Sequence, residues 1–145
     1  MAALTADRPR NIRGTPQSGP PMTVAASTTL YGGSLLSINA AGDVIPAADT
    51  ASTLVVGVCP EFVDNSAGSA GDKTVSPQFG HSEAFEIVST SLTKADIDLI
   101  AVVSTDQDLT DATTATNDIA AGKVVGIEDG KVWIHVGNKA GTAAP

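Results

Sequence analysis

The chain has 145 residues, 42% of them apolar, and a formal net charge of −8, the range of one domain with an acidic surface. That balance lacks the basic footprint nucleic acid demands, and no run approaches the roughly 18 apolar residues of a membrane span. The start lacks the apolar core of a secretory signal, and the single cysteine, Cys59, reads as a small buried hydrophobe. A protein made and assembled in a cytoplasm is expected.

The first element is a basic leader. Arg8, Arg10 and Arg13 are the only arginines, and residues 1–13 carry +2 while residues 14–145 carry −10. Pro16, Gly19, Pro20 and Pro21 follow, and no apolar periodicity begins before Val24. The pattern predicts an extended N-terminal arm over residues 1–23 that reaches away and docks on an acidic protein surface, since arginine pairs bidentately with carboxylates. The alternative is an unstructured chain end.

The body, residues 24–138, reads as β. Fourteen glycines punctuate segments rich in Val, Ile and Thr. Expected strands are Ser34–Asn39, Asp43–Pro46, Thr53–Val63, Lys73–Phe79, Glu83–Ser89, Asp98–Ser104, Lys123–Ile127 and Lys131–Val136. Ala41-Gly42-Asp43 and Glu128-Asp129-Gly130 carry hairpin-turn chemistry.

In Lys131–Val136, apolar Val132, Ile134 and Val136 alternate with Lys131, Trp133 and His135, the pattern of a half-buried strand. Leu54–Cys59 is apolar on both faces and needs cover on both, from a barrel interior and from a loop or neighbouring subunit. Val55-Val56-Gly57-Val58 recurs as Val124-Val125-Gly126-Ile127, and a glycine at equivalent places fits a bend in a small closed sheet. Thr93-Lys94-Ala95-Asp96 resembles a capping box and predicts a turn at 93–97. Residues 105–121 are polar and read as a loop, and residues 139–145 as a flexible tail. Alanine supplies 22 of the apolar residues and only Tyr31, Phe62, Phe79, Phe85 and Trp133 are aromatic, so the core is thin and a subunit interface would help it.

Chemistry is sparse. His81, His135 and Cys59 have no metal-ligand spacing. Asp106-x-Asp108-x-x-Asp111 lacks the glycine and the bidentate glutamate of a calcium loop. No nucleophile elbow or phosphate loop occurs. No enzyme, cofactor or metal is expected.

Residues 30–137 resemble the small head decoration (cement) proteins of tailed bacteriophages of the Mu-like and related groups. The stretches that carry the likeness are Tyr31–Gly42, Val44–Ala47, Val55–Val58, Val63–Gly71, Thr93–Ile97, Val125–Ile127 and Val132–Ile134, with Ala3–Arg8 similar to the leader. The Val63-Asp64-Asn65-Ser66 stretch is the most specific. Pro77–His81 departs from the pattern. The resemblance implies an all-β small barrel or β-tulip-like domain with an extended N-terminal arm. It implies a structural protein of the virion, made in the host cytoplasm and bound to the outer surface of the head. There it stabilises contacts between major capsid subunits, its main partner, as a homotrimer or a dimer. Leu4, Arg8, Arg10, Ile12 and Arg13 are the expected capsid contacts, and Trp133 and His135 the expected inter-subunit face. Neither nucleic acid nor membrane is an expected partner. The alternative reading is an adhesive or carbohydrate-binding β module on the virion surface, with Trp133 and Tyr31 as its aromatics.

Overall fold

The computed structural model describes residues 3–14, 16–79, 84–89, 91–128 and 131–136. His81, Asp129-Gly130 and the expected tail lie outside them. Three two-residue strands come first, β1 (Ile12–Arg13), β2 (Gln17–Ser18) and β3 (Met22–Thr23). Next are β4 (Thr28–Leu30), β5 (Leu35–Ile38), β6 (Val44–Pro46), β7 (Leu54–Val58) and β8 (Val63–Asn65). Then come β9 (Thr74–Val75), β10 (Gln78–Phe79) and β11 (Ala84–Ser89). A 3-10 turn at Lys94–Asp96 precedes β12 (Ile100–Val103), β13 (Asp108–Thr110), β14 (Ala120–Glu128) and β15 (Lys131–Val136).

The fold is all-β. In the larger sheet β11, β13, β12, β14 and β15 are bonded in that order, and β15 pairs back onto β11, closing a five-strand ring. The pairing β11–β13 is parallel and the others antiparallel. Closure leaves none of these five strands as a free edge. A second sheet, in the order β2-β10-β7-β5-β6, packs against the ring, with β3–β9 and β4–β8 as two small ladders.

Burial follows the alternation. Val132, Ile134 and Val136 are buried while Lys131 is exposed and Trp133 and His135 are half-buried. The main core gathers Phe85, Ile87, Val103, Val124 and Ile134 from the ring with Leu35, Val55 and Val58 from the second sheet. On the opposite face of that sheet, Leu36 and Cys59 pack with Val24, Leu30, Val44 and Val75, and Val56 leans against them. The two-faced apolar strand is therefore covered on both sides by its own chain.

The repeated Val-Val-Gly has a common structural meaning. Gly57 faces Leu36 and Val55 faces Ser37, so the ladder passes over Val56. Gly126 faces Trp133 and Val124 faces Ile134, so it passes over Val125 in the same way. Both copies are β-bulges, which twist and bend the strand where a small closed sheet must curve. Gly57 also lets β7 approach its neighbour, since a Cβ there would stand 2.4 Å from the Gln78 carbonyl oxygen.

Other local expectations match. The turn after β5 is held by Asn39, whose amide donates to the Asp43 carbonyl at 2.9 Å and whose Oδ1 accepts from Ala41 and Asp43. Thr93 forms the capping box, receiving Ala95 N–H while its own N–H donates to Asp96 Oδ2 at 2.7 Å. Three expectations need correction. Thr53–Val63 is not one strand, because β7 ends at Val58 and β8 begins only at Val63. Lys73–Phe79 is two short strands rather than one. Residues 105–121 are not simply a loop, because β13 and the start of β14 lie within them.

The larger correction concerns the leader. Residues 3–14 and 16–23 do not extend away from the body; β1 pairs β11, β2 pairs β10 and β3 pairs β9. The leader is a strap laid along its own domain.

Candidate functional site: the leader and its seat

Three stations fix the strap, each using an arginine or its neighbours. At the first, the Leu4 amide donates to Asp106 Oδ1 at 2.9 Å, and Arg8 Nη1 to Gln107 Oε1 at 2.7 Å. The second is the Gly32-Gly33 pair. Gly32 N–H donates to Asp7 Oδ1 at 2.7 Å, Arg8 N–H donates to the Gly32 carbonyl at 2.7 Å, and Arg10 Nε to the Gly33 carbonyl at 2.7 Å. Arg10 Nη2 reaches on to the Gln107 carbonyl at 3.3 Å, joining the two stations.

Gly33 is required here. It sits at φ +87, and a Cβ would lie 1.6 Å from the Arg8 carbonyl oxygen. The third station is on the ring. Ile12 and Arg13 pair with Phe85 and Ala84, the Glu86 amide donates to the Asn11 carbonyl at 2.9 Å, and Asn11 Nδ2 donates to Glu86 Oε2 at 3.2 Å. Arg13 lies over the Trp133 ring at 4.6 Å and bridges Glu128 at 3.3 Å.

Arg8 and Arg10 thus sit on the acidic turn Asp106-Gln107-Asp108, through Gln107. Asp106 is only 2% exposed. Burial pushes its carboxyl pKa above the ordinary 3.8, against the pull of the Leu4 amide and the Arg10 charge. Burial, with Arg8 beside it, lowers Arg10 to about 10. Asp108 is also buried and accepts the Thr105 hydroxyl, which keeps the turn in shape. The strap is not packed tightly throughout. A cleft of about 380 Å³ runs between Asp7, Arg10 and Ile12 on the strap and Val58, Cys59 and Phe62 on the body.

Of the residues expected to meet a capsid, Arg8 and Arg10 are engaged on the 106–108 turn and Gly33, and Leu4 is tied to Asp106. Ile12 remains 38% exposed. Arg13 is brought to Trp133, so one residue from each expected group meets at a common point. His135 stands opposite Lys123, whose Nζ pairs with Asp98 at 3.2 Å. Sequence reasoning missed Gly32, Gly33, Asp106, Gln107 and Glu128. The signal available was a Gly-Gly pair and an acidic turn in a chain whose arginines are all in the leader.

The surface also carries an apolar ledge. Ile97, Leu99 and Ile100 are 40%, 56% and 54% exposed, and Val125 is 37% exposed. Backbone bonds bring them side by side: Asp98 N–H donates to the Val124 carbonyl at 2.8 Å and Val124 N–H to the Leu99 carbonyl at 2.9 Å. Tyr31 and Phe62 form a separate aromatic pair with centroids 5.5 Å apart. Among the described residues, no group of three or more His, Cys, Asp or Glu could hold a metal ion, and no helix is long and apolar enough to cross a membrane.

Compared with protein-family models, curated proteins and solved structures, the chain matches none.

Proposed function

We propose that the chain is a structural capsid decoration protein that binds the outer surface of a phage head and bridges its major capsid subunits. The observation that carries this reading is the apolar ledge. Ile97, Leu99, Ile100 and Val125 present aliphatic surface together on a small acidic body, the kind of patch that marks protein contact. The resemblance to cement proteins supplies the partner. Its most specific stretch has a structural role: Asn65 is buried and its Nδ2 donates to the Ala25 carbonyl at 2.9 Å and the Ser69 carbonyl at 3.1 Å, organising the loop up to Gly71.

The mechanism is linkage. A protein that straddles joints between shell subunits binds the closed shell and not the separated one, and mass action then stabilises the closed state. Many copies on one lattice, assembled as trimers or dimers, make the total large. In this reading Leu4, Arg8, Arg10 and Arg13 shape the decoration protein itself, and shell contact falls to the ledge. The carbohydrate-binding alternative has less support at Trp133, one face of which Arg13 covers.

Co-sedimentation with undecorated heads tests the proposal. The unmodified chain should pellet saturably with the heads, and a Leu99→Asp/Ile100→Asp variant should bind at least about ten-fold more weakly, as expected when an apolar contact of about 1.4 kcal/mol or more is lost. An unmodified chain that stays in the supernatant contradicts the reading.

A further inference from the structure

We propose that the seat holding the leader also accepts the leader of a second copy, so that neighbouring molecules exchange residues 3–13. The inference concerns the chain's self-association and stands whether or not the chain decorates a shell.

Charge gives the first argument. Two whole molecules at −8 repel, but residues 1–13 carry +2 and the remainder −10. The leader is therefore the segment of one copy that another copy attracts. The chemistry of the seat gives the second. The bonds at Gly32, Gly33, Asp106 and Gln107 are made by Leu4, Asp7, Arg8 and Arg10, all within residues 3–13, and an identical segment from another molecule satisfies them equally.

The third argument is the weak apolar hold on the cis leader. Leu4 is half-buried, Ile12 is 38% exposed, and the cleft of about 380 Å³ separates strap from body near Arg10. A segment held by polar bonds at its ends of travel opens at low cost compared with global unfolding. Gly14, at φ +87 immediately after the exchanged segment, is a residue whose backbone can take a new direction without a Cβ clash. Opened there, the 11 residues 3–13 reach about 36 Å, close to the diameter of a domain of this size, so a neighbour's seat is within range. Exchange of an identical element recreates every bond and adds an interface, which makes it an inexpensive route to assembly.

The test uses two singly substituted chains distinguishable by a tag, Leu4→Cys on the leader and Asp106→Cys at the seat. They meet only between molecules. After co-incubation and mild oxidation, a mixed disulfide should form in a yield that rises with protein concentration. It should exceed, at least about ten-fold, the yield from Leu4→Cys with Ala51→Cys, an exposed position outside the seat. A yield equal to that control overturns the proposal. Because Asp106→Cys removes an acceptor, a second measurement uses light scattering on the unmodified chain and on Arg8→Ala/Arg10→Ala. The unmodified chain should gain mass with concentration while the double variant stays monomeric. A monomeric unmodified chain, or equal assembly of both, contradicts exchange.

Discussion

The leader and the ring are held by opposite means. The ring is closed by ladders on every strand and filled by side chains such as Phe85, Ile87, Val124 and Ile134, each fully buried. The leader buries little apolar surface and is fixed by amides, guanidinium groups and one cation–π contact. Apolar burial is not weakened by ionic screening, whereas exposed ionic contacts are screened and individually modest. One chain therefore carries a ring filled by apolar side chains and a strap fixed mainly by polar contacts, and the strap should open separately from the ring.

The largest effect should come from the ring. Phe85→Ala deletes the largest fully buried side chain and should cost about 3–5 kcal/mol, read as a lower urea midpoint. A loss under about 1 kcal/mol would mean the ring does not dominate stability. Gly33→Ala strikes the strap instead. With φ +87 and the Arg8 carbonyl in the way, it should displace the leader at about 1–3 kcal/mol and expose Arg8, Arg10 and Arg13 to trypsin. The ring should remain protected; if ring and leader are digested together, they form one unit.

Acid sharpens the contrast from another side. Asp49 is held below 3.8 chiefly by the Thr116 amide, Asp64 by the Ser66 hydroxyl and Asp111 by the Thr113 and Thr114 hydroxyls. A carboxylate depressed in the folded state stabilises it above 3.8, and that contribution disappears as pH falls through the lower folded value. Asp106, raised by burial, acts in reverse and in a different window: its protonation favours the folded state as pH falls through its raised folded value towards 3.8, above the range in which the other three act. The melting temperature should therefore fall below about pH 3.8, less steeply in Asp49→Asn. Asp106→Asn, which keeps an acceptor for Leu4 and removes a buried charge, should not lower stability at neutral pH. The smallest effect is Arg13→Ala, about 0.5–1 kcal/mol or less, since Arg13 and Glu128 are 65% and 66% exposed. It should be visible mainly as an increase in Trp133 fluorescence quenching by acrylamide, a neutral quencher that reports the uncovered ring face.

The ring was legible in the sequence because its rules are local. Alternation at Val132–Val136, the repeated Val-Val-Gly and the Thr93 capping box each place residues without knowledge of distant partners. The second sheet's central strands were legible for the same reason. The strap was not, because its strands are two residues long and its register is set by Gly32-Gly33 and by the 106–108 turn, far away in sequence. Strand β13 was hidden by polarity: Asp108 and Thr110 are buried, with Asp108 satisfied by Thr105 and Thr110 by Ser91 at 3.0 Å. The charge asymmetry suggests an arm docking on the carboxylates of another protein; in the structure Arg8 and Arg10 instead donate to the Gln107 amide and to the Gly33 and Gln107 carbonyls of their own chain, and Arg13 bridges its own Glu128.

Amide hydrogen exchange at two ionic strengths tests the strap most directly. The Arg8 and Leu4 amides, bonded to Gly32 and Asp106, should show protection well below that of Val103 and Val124, and should lose it as salt rises while the ring amides do not change. Leader amides exchanging as fast as a free peptide, or as slowly as Val124 at both salts, would contradict a separately opening strap.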